Sequence, residues 1–364
     1  MKKTLLLILI ILSVGFAVFG QKLGKPTQTS VAPTVAQQKT INEAVVLHDA
    51  RKYDEAIAKY KSVLTESPDC TMAMYELSLS LQAKGAKLEA VETAYRGAKY
   101  IADELPLFYV LIANNLDDYG KPDEAVHIYL DGLKAMEGDS RFGRYRGSLY
   151  YNLGITYYKQ KKINDARRVL KSAVENDFSY ASPHYLLSVV YNGSRYQIPA
   201  FLAAARLITL EFNTARTKAS VDLIAAALEP TRNEKTGDIT INLDFNAPKD
   251  EGDFAMFDLL LPTLTTIDEK KDAKKTANEK FIGAIDSIIG MLGEDKKLRS
   301  TFVGKTYVPF MVDLKKAGHV DAFGNMILFI RNNQNADAAK WVDANGTKLK
   351  QFLNWAKSYQ VTAN

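Results

Sequence analysis

The sequence predicts a mainly all-α protein. Residues 39–228 read as an α-solenoid of stacked helix pairs, and residues 236–364 as a mostly helical C-terminal module with one short strand. Three observations carry this. Ala56, Ala90, Ala125, Ala166 and Ala200 recur in one local frame at spacings of 34, 35, 41 and 34 residues. A lone helix pair cannot bury its apolar face, whereas stacked pairs share a continuous core, and a small residue recurs where two helices must approach closely. Within each unit the apolar residues fall three and four apart, the period of an amphipathic helix. Composition agrees: 47% apolar and 24% charged residues over 364 positions are ordinary globular values, enough for two cores.

Residues 1–20 have the form of an export signal. Lys2 and Lys3 precede a largely apolar run from Leu5 to Phe19, and Val18 and Gly20 suit the −3 and −1 positions of a cleavage site before Gln21. The run is short for a membrane span, which needs about 20 residues. An uncleaved N-terminal anchor is the competing reading. No cysteine follows the run to accept a lipid. The single cysteine, Cys70, can form no internal disulfide, so an exported chain of this kind must be held by packing alone. Without Lys2 and Lys3, 45 basic side chains face 42 acidic ones, and so weak a bias predicts no nucleic-acid partner. Residues 21–38, with Pro26, Pro33 and no periodicity, read as a flexible tether.

The units follow in order. The first has Tyr53, Ala56 and Tyr60, with Pro68 ending its second helix. The second has Leu77, Leu81, Gly85 and Ala90, and the third Ile112, Leu116, Gly120 and Ala125. The fourth has Tyr150, Leu153, Gly154 and Tyr157, then Ala166 and Leu170. The fifth has Leu187, Tyr191, Ala200 and Leu207. Gly85 and Gly120 fall in the turn within a unit, where a positive φ is useful; Arg51, Lys161 and Arg195 take that place in the other units. An insertion, Glu137 to Arg146, accounts for the 41-residue spacing. Asn213 to Leu228 reads as a terminal helix with a polar outer face.

These positions resemble tetratricopeptide repeats (TPR), most closely in the aromatic-x2-Leu-Gly-x2-Tyr spacing of Tyr150, Leu153, Gly154 and Tyr157. The resemblance implies that the first helix of each pair lines a concave groove for a protein or peptide. It also allows one subtype to be tested. Repeats that clamp a C-terminal carboxylate carry Lys and Asn where this chain has Ile41 and Val45, so that clamp is not supported.

After Glu229 the composition breaks. Ile239, Ile241, Leu243 and Phe245 alternate with polar residues, as in a half-buried strand. Helical patterns follow over 254–267, 273–291, 296–316, 320–331 and 336–359. Either this region is an extended cap on the last repeat or it is a separate module, and the strand favours a module.

No catalytic constellation emerges. His48, His127, His184 and His319 lack metal-site spacing, and His184 takes a core position. Ser13, Ser194 and Ser300 lie in no nucleophile elbow, and Gly283, Gly290 and Gly293 form no phosphate loop. Asp250, Glu251 and Asp253 read as a solvated turn, as do Asp343 to Gly346. No cofactor or metal is expected.

Tyrosine is the remaining signal. Tyr150, Tyr157 and Tyr191 fall on packing positions. Tyr151 and Tyr158, seven residues apart, share the other helix face, with Tyr185 on the matching helix of the next unit. Rigid amphipathic aromatics suit recognition, and Asn114, Asp117, Asn152, Lys159 and Asn192 would supply polar contacts around them. The plain alternative is that tyrosine is a common filler, there being 19 in the chain. The expected function is a non-catalytic, protein-binding scaffold of the bacterial cell envelope, exported to the periplasm. Two other assignments compete. The C-terminal module would be an enzyme using carboxylates such as Asp253 and Asp258, or the chain would be a structural component anchored by residues 4–20.

Overall fold

A computed structural model describes residues 22–212, 214–228, 231–232, 239–240, 249–254, 256–257, 260, 275–332 and 334–361. Residues 1–20, read as an export signal, lie outside these. Among the described residues no helix is long and apolar enough to cross a membrane. The chain forms two compact units, Met1–Val169 and Leu170–Asn364.

The first unit holds α1 (Val35–Asp49), α2 (Tyr53–Glu66), α3 (Thr71–Lys84), α4 (Lys87–Gly97), α5 (Leu105–Asp118), α6 (Pro122–Ala135), α7 (Gly143–Lys159) and the start of α8 (Ile163–Asn176). Each helix packs on its successor from α1 to α7, so the pairs stack. Ala56, Ala90, Ala125 and Ala166 are fully buried, as the spacing requires. The 41-residue spacing is absorbed by a 3-10 turn at Ser140–Phe142 and by the 17-residue α7.

The turns inside the pairs share one geometry. Gly85 and Gly120 have φ of 93° and 72°, and Arg51 and Lys161 adopt 61° and 60° at the equivalent places. In each, the next residue's N–H reaches back to a helix carbonyl, as in Lys52 to Leu47 and Lys162 to Tyr157 at 2.8 and 2.9 Å. These bonds satisfy carbonyls that a helix end leaves unpaired. The conformation persists even where no glycine relieves it.

The stretch read as a tether is structured over much of its length. Gln28–Thr29 (β1) pairs in parallel with Tyr100–Ile101 (β2), and the Val31 N–H donates to the Asp69 carbonyl at 3.1 Å. The segment thus runs along the loops that join successive pairs, and Leu23 packs against the core. Backbone pairing needs no apolar period, which is why composition pointed elsewhere. The first helix starts at Val35 rather than 39. Thr34 and Gln37 form a capping box there, each side chain accepting from the other's backbone N–H.

The second unit begins in α8 and continues with α9 (Ala181–Gly193), α10 (Gln197–Leu210) and α11 (Ala215–Leu228). Next come α12 (Ala277–Glu294), α13 (Phe302–Lys316), α14 (Val320–Arg331), α15 (Ala336–Ala344) and α16 (Gly346–Ser358). The fifth pair, α9 and α10, repeats the pattern, with Arg195 at φ 62° and Ala200 fully buried. Every residue of α10 from Ile198 to Thr209 is buried. A helix buried all round must be covered all round, and α13 and α16 pack on α10. In turn α14 packs on α11, so α11 is not the outermost, solvent-facing helix expected from its sequence. The C-terminal helices therefore share one compact unit with the last repeat, as an extended cap would. The boundary between the two compact units falls at Val169/Leu170, within α8.

The strand expected at Ile239 is seen as Ile239–Thr240 (β4), antiparallel to Thr231–Arg232 (β3); residues 241–245 lie outside the described set. The helix expected over 336–359 is two helices, because Asn345-Gly346 ends one and starts the next.

Candidate partner-binding surface

In the first unit the first helices of successive pairs neighbour one another, α1 with α3 and α5 with α7. On α7, Tyr158 is 38% exposed and Tyr151 is half-buried. Tyr157 is buried, and Tyr150 packs against the core. Successive residues thus divide between interior and surface, as a helix bearing one buried face requires.

The polar residues are less free than the sequence suggested. Lys159 on α7 and Asp117 on α5 form an ion pair at 2.7 Å that ties neighbouring first helices together. Asn114 accepts a hydrogen bond from the Tyr129 hydroxyl at 2.5 Å, and Asn152 donates to the Ser148 carbonyl of its own helix at 2.9 Å. A partner would have to compete for these groups. Glu76, on α3, went unnoticed in the sequence. It is half-buried, and burial raises its carboxyl pKa against the opposing pull of His48, with Asp49 and Glu104 adding repulsion. Only the fold gathers these charges, so no local pattern marks them.

Tyr185 and Asn192 lie in the second unit, both on α9. The Arg216 guanidinium sits over the Tyr185 ring, 5.6 Å from its centroid, while donating to Ser182 at 3.0 Å and to Glu211. Tyr185 is therefore part of a stacked pair within its unit. Asn192 is exposed near the helix end, where its carbonyl accepts from the Arg195 N–H.

The other candidates resolve into structural roles. Cys70 is fully buried at the start of α3, and burial raises its thiol pKa, which disfavours the reactive thiolate. His184 is fully buried. Its Nε2–H donates to the Phe178 carbonyl at 3.0 Å, a group that can only accept, so Nδ1 accepts from the Tyr307 hydroxyl at 2.8 Å. Burial, with repulsion from Arg206, lowers the His184 pKa to about 3. Of the carboxylates read as a solvated turn, Asp250 and Asp253 are exposed and Glu251 is not. Asp250 accepts from the Tyr196 hydroxyl at 2.8 Å, and Glu251 is fully buried against Lys171 at 2.8 Å. Asp258 lies outside the described residues.

The second unit also has a cleft of about 1090 Å³ lined by Phe178, Leu298, Val308, Pro309, Asp313 and Gln360, among others. Pro309 lies inside α13, so the Lys305 carbonyl in the same lining receives no helical N–H at that step. The lining comes from several separate segments, and no sequence motif marks it.

The tetratricopeptide repeat family matches residues 41–106, the span from α1 into α5. The chain contains tetratricopeptide repeats. TPR-like helix pairs extend past that span, since the turn at positive φ and the buried alanine continue to Arg195 and Ala200. Among solved structures, one described as a functional characterization of Pseudomonas aeruginosa pilF is similar at 17% identity and a TM-score of 0.44. That similarity covers 52% of this chain and 82% of the other. A structure of Naa15/Naa10 bound to HypK-THB is similar at 13% identity and a TM-score of 0.25, over 89% of this chain and 64% of the other. No curated protein sequence matches the chain.

Proposed function

We propose that this TPR protein is a non-catalytic scaffold of the bacterial cell envelope that holds a segment of another protein against the first helices of its repeats. Stacked repeats present an extended surface suited to protein recognition, and that logic underlies the general reading as a protein-binding scaffold. The observation that carries the site is the exposed Tyr158 ring beside the Asp117–Lys159 pair on adjacent first helices. An aromatic of two rotors with a polar tip loses little entropy when it becomes an anchor. Asn114, Asn152 and Lys159 flank it as hydrogen-bonding groups, and Tyr151 extends the surface along α7.

The envelope assignment rests on residues 1–20: a basic start, an apolar run and a small-residue cleavage site. Export to the periplasm follows from that segment, with retention at the inner membrane if it is not removed. The expected partner is a protein or peptide, with neither nucleic acid nor a small-molecule cofactor required.

The test is affinity capture from envelope extract with wild-type protein and with Tyr151→Ala plus Tyr158→Ala. Loss of one anchoring tyrosine of this kind weakens binding by roughly 2 kcal/mol, about 30-fold. Specific partners should therefore disappear from the double variant. Identical partner sets at equal stability would remove this site from consideration.

A further inference from the structure

Among the described residues, none packs on the outer face of α1. A shallow groove of about 650 Å³ runs along this helix, lined only by Pro33, Val35, Gln38, Lys39, Asn42, Glu43 and Val46. Val35 is 91% exposed and Val46 67%, more than any other large apolar side chain among the described residues. The opposite face, with Ile41 and Ala44, is buried against α2 and α3. The exposed valines are thus not needed for the first unit's own core.

The spacing of the exposed seam is the same in both directions. Val35, Lys39, Asn42 and Val46 follow one another at spacings of four, three and four residues. That is the spacing of a seam along which two helices pack. Lay a second α1 antiparallel on the first, with a two-fold axis between residues 40 and 41. Val35 then meets Val46 of the second copy, Val46 meets its Val35, and Lys39 meets its Asn42. Gln38 meets Glu43 of the second copy, and Lys39 lies one residue from that same carboxylate. Both apolar ends are matched, and each central cation faces the Asn42 amide, which also accepts from Gln38 of its own helix at 2.9 Å. Next to that amide is the Glu43 carboxylate, which the cation would share with Lys59. In the parallel arrangement Lys39 would instead meet Lys39. A self-complementary patch of this kind is the signature of an isologous contact.

We propose that the occupant of this face is a second copy of the chain, docked through antiparallel α1 helices. The proposal is independent of the first-helix surface assigned above, and it would give the assembly two such surfaces. The contact uses one short helix from each copy, so it falls among small, weak interfaces, detectable at about 100 μM rather than in dilute solution.

The experiment uses the protein as the cell produces it, held in mild detergent. Sedimentation should show twice the monomer mass at high concentration. Val35→Asp plus Val46→Asp should raise the dimer dissociation constant at least about tenfold with an unchanged circular dichroism spectrum, because both side chains point into solvent. Register is read by cysteine cross-linking. Val35→Cys plus Val46→Cys should give a covalent dimer under mild oxidation, and either substitution alone should not. The two sites are eleven residues apart on one helix, about 16 Å, too far to join within a chain. Monomeric mass throughout that range overturns the proposal, as would occur if another part of the chain covered the face. Equal cross-linking by the single variant Val35→Cys overturns the antiparallel register.

Discussion

The Arg206 guanidinium donates through Nη1 to the carbonyl of Ala356, 2.5 Å away and 150 residues later in the chain. Arg206 is fully buried in α10, with the Phe178 and Phe310 rings 4.4 and 4.8 Å from its guanidinium carbon. Nε and Nη2 both donate to the Phe178 carbonyl at 3.3 and 3.2 Å. Burial lowers its pKa to about 10, so it remains a cation at neutral pH, held by carbonyl oxygens and ring faces. It fastens α16 to the last repeat.

Arg206→Ala should accordingly destabilise the second unit by about 3 kcal/mol or more, since it removes the charged hydrogen bonds to the Phe178 and Ala356 carbonyls and leaves a cavity. Arg206→Met, which fills the volume and removes the buried charge, should cost markedly less. Denaturant titration would check both, and hydrogen exchange should show α16 opening first in the alanine variant. Equal losses for the two substitutions would indicate that the guanidinium's hydrogen bonds, and not the volume it fills, secure the helix.

Acid should loosen the same region through His184. Its folded pKa of about 3 lies below the ordinary value of 6.5, so the unfolded chain takes up this proton first. The stability associated with neutral His184 is therefore complete above pH 6.5 and declines as the pH falls toward 3. Unfolding measured across that window should show a slope reduced in His184→Gln by up to one proton, about 1.4 kcal/mol per pH unit.

Arg51, Lys161 and Arg195 hold left-handed φ values that glycine adopts freely. Their replacement by glycine, one at a time, should raise stability by roughly 0.5–1 kcal/mol, the relief of the Cβ clash less the added freedom of the unfolded chain. Thermal unfolding of each variant measures this, and destabilisation at all three would refute a strained turn.

Gly97 and Gly132 mark the tightest approaches between successive pairs. A Cβ on Gly97 would lie 2.2 Å from the Phe108 ring, and one on Gly132 would lie 2.8 Å from both Leu149 and Tyr109. Alanine at either should cost about 1–3 kcal/mol by overpacking. At Gly193, where an added Cβ meets nothing within 4 Å, alanine should be neutral or stabilising by up to about 1 kcal/mol. Chemical denaturation would show the opposite signs.

The repeat array was legible because its signals are periodic and local: one alanine per pair, one turn per pair and apolar residues on one face. Even the non-glycine turn residues were placed correctly, since Arg51, Lys161 and Arg195 fall in register with Gly85 and Gly120. Features that depend on distant partners were not legible. Residues 22–34 are held largely through backbone bonds to Asp69, Lys99 and Ile101, and backbone groups leave no compositional trace. Glu251 read as solvent-facing because its partner, Lys171, lies 80 residues away. The C-terminal cap leaves one trace in the sequence: α10 carries apolar residues on every side, interrupted chiefly by Arg206, and such a helix demands a second layer. On the candidate surface, the side-chain types were readable, but the mutual pairing of Asp117 and Lys159 was not, because it joins two units of the array.

Site-specific photo-cross-linking in living cells measures the central claim most directly. A photoreactive phenylalanine analogue would be placed at Tyr158 on a first helix and, separately, at Leu130, an exposed apolar position on the second helix α6. Capture of a discrete protein partner from position 158 and none from position 130 is the predicted result. Capture of the same partner from 130 but not from 158 would contradict recognition by the first helices.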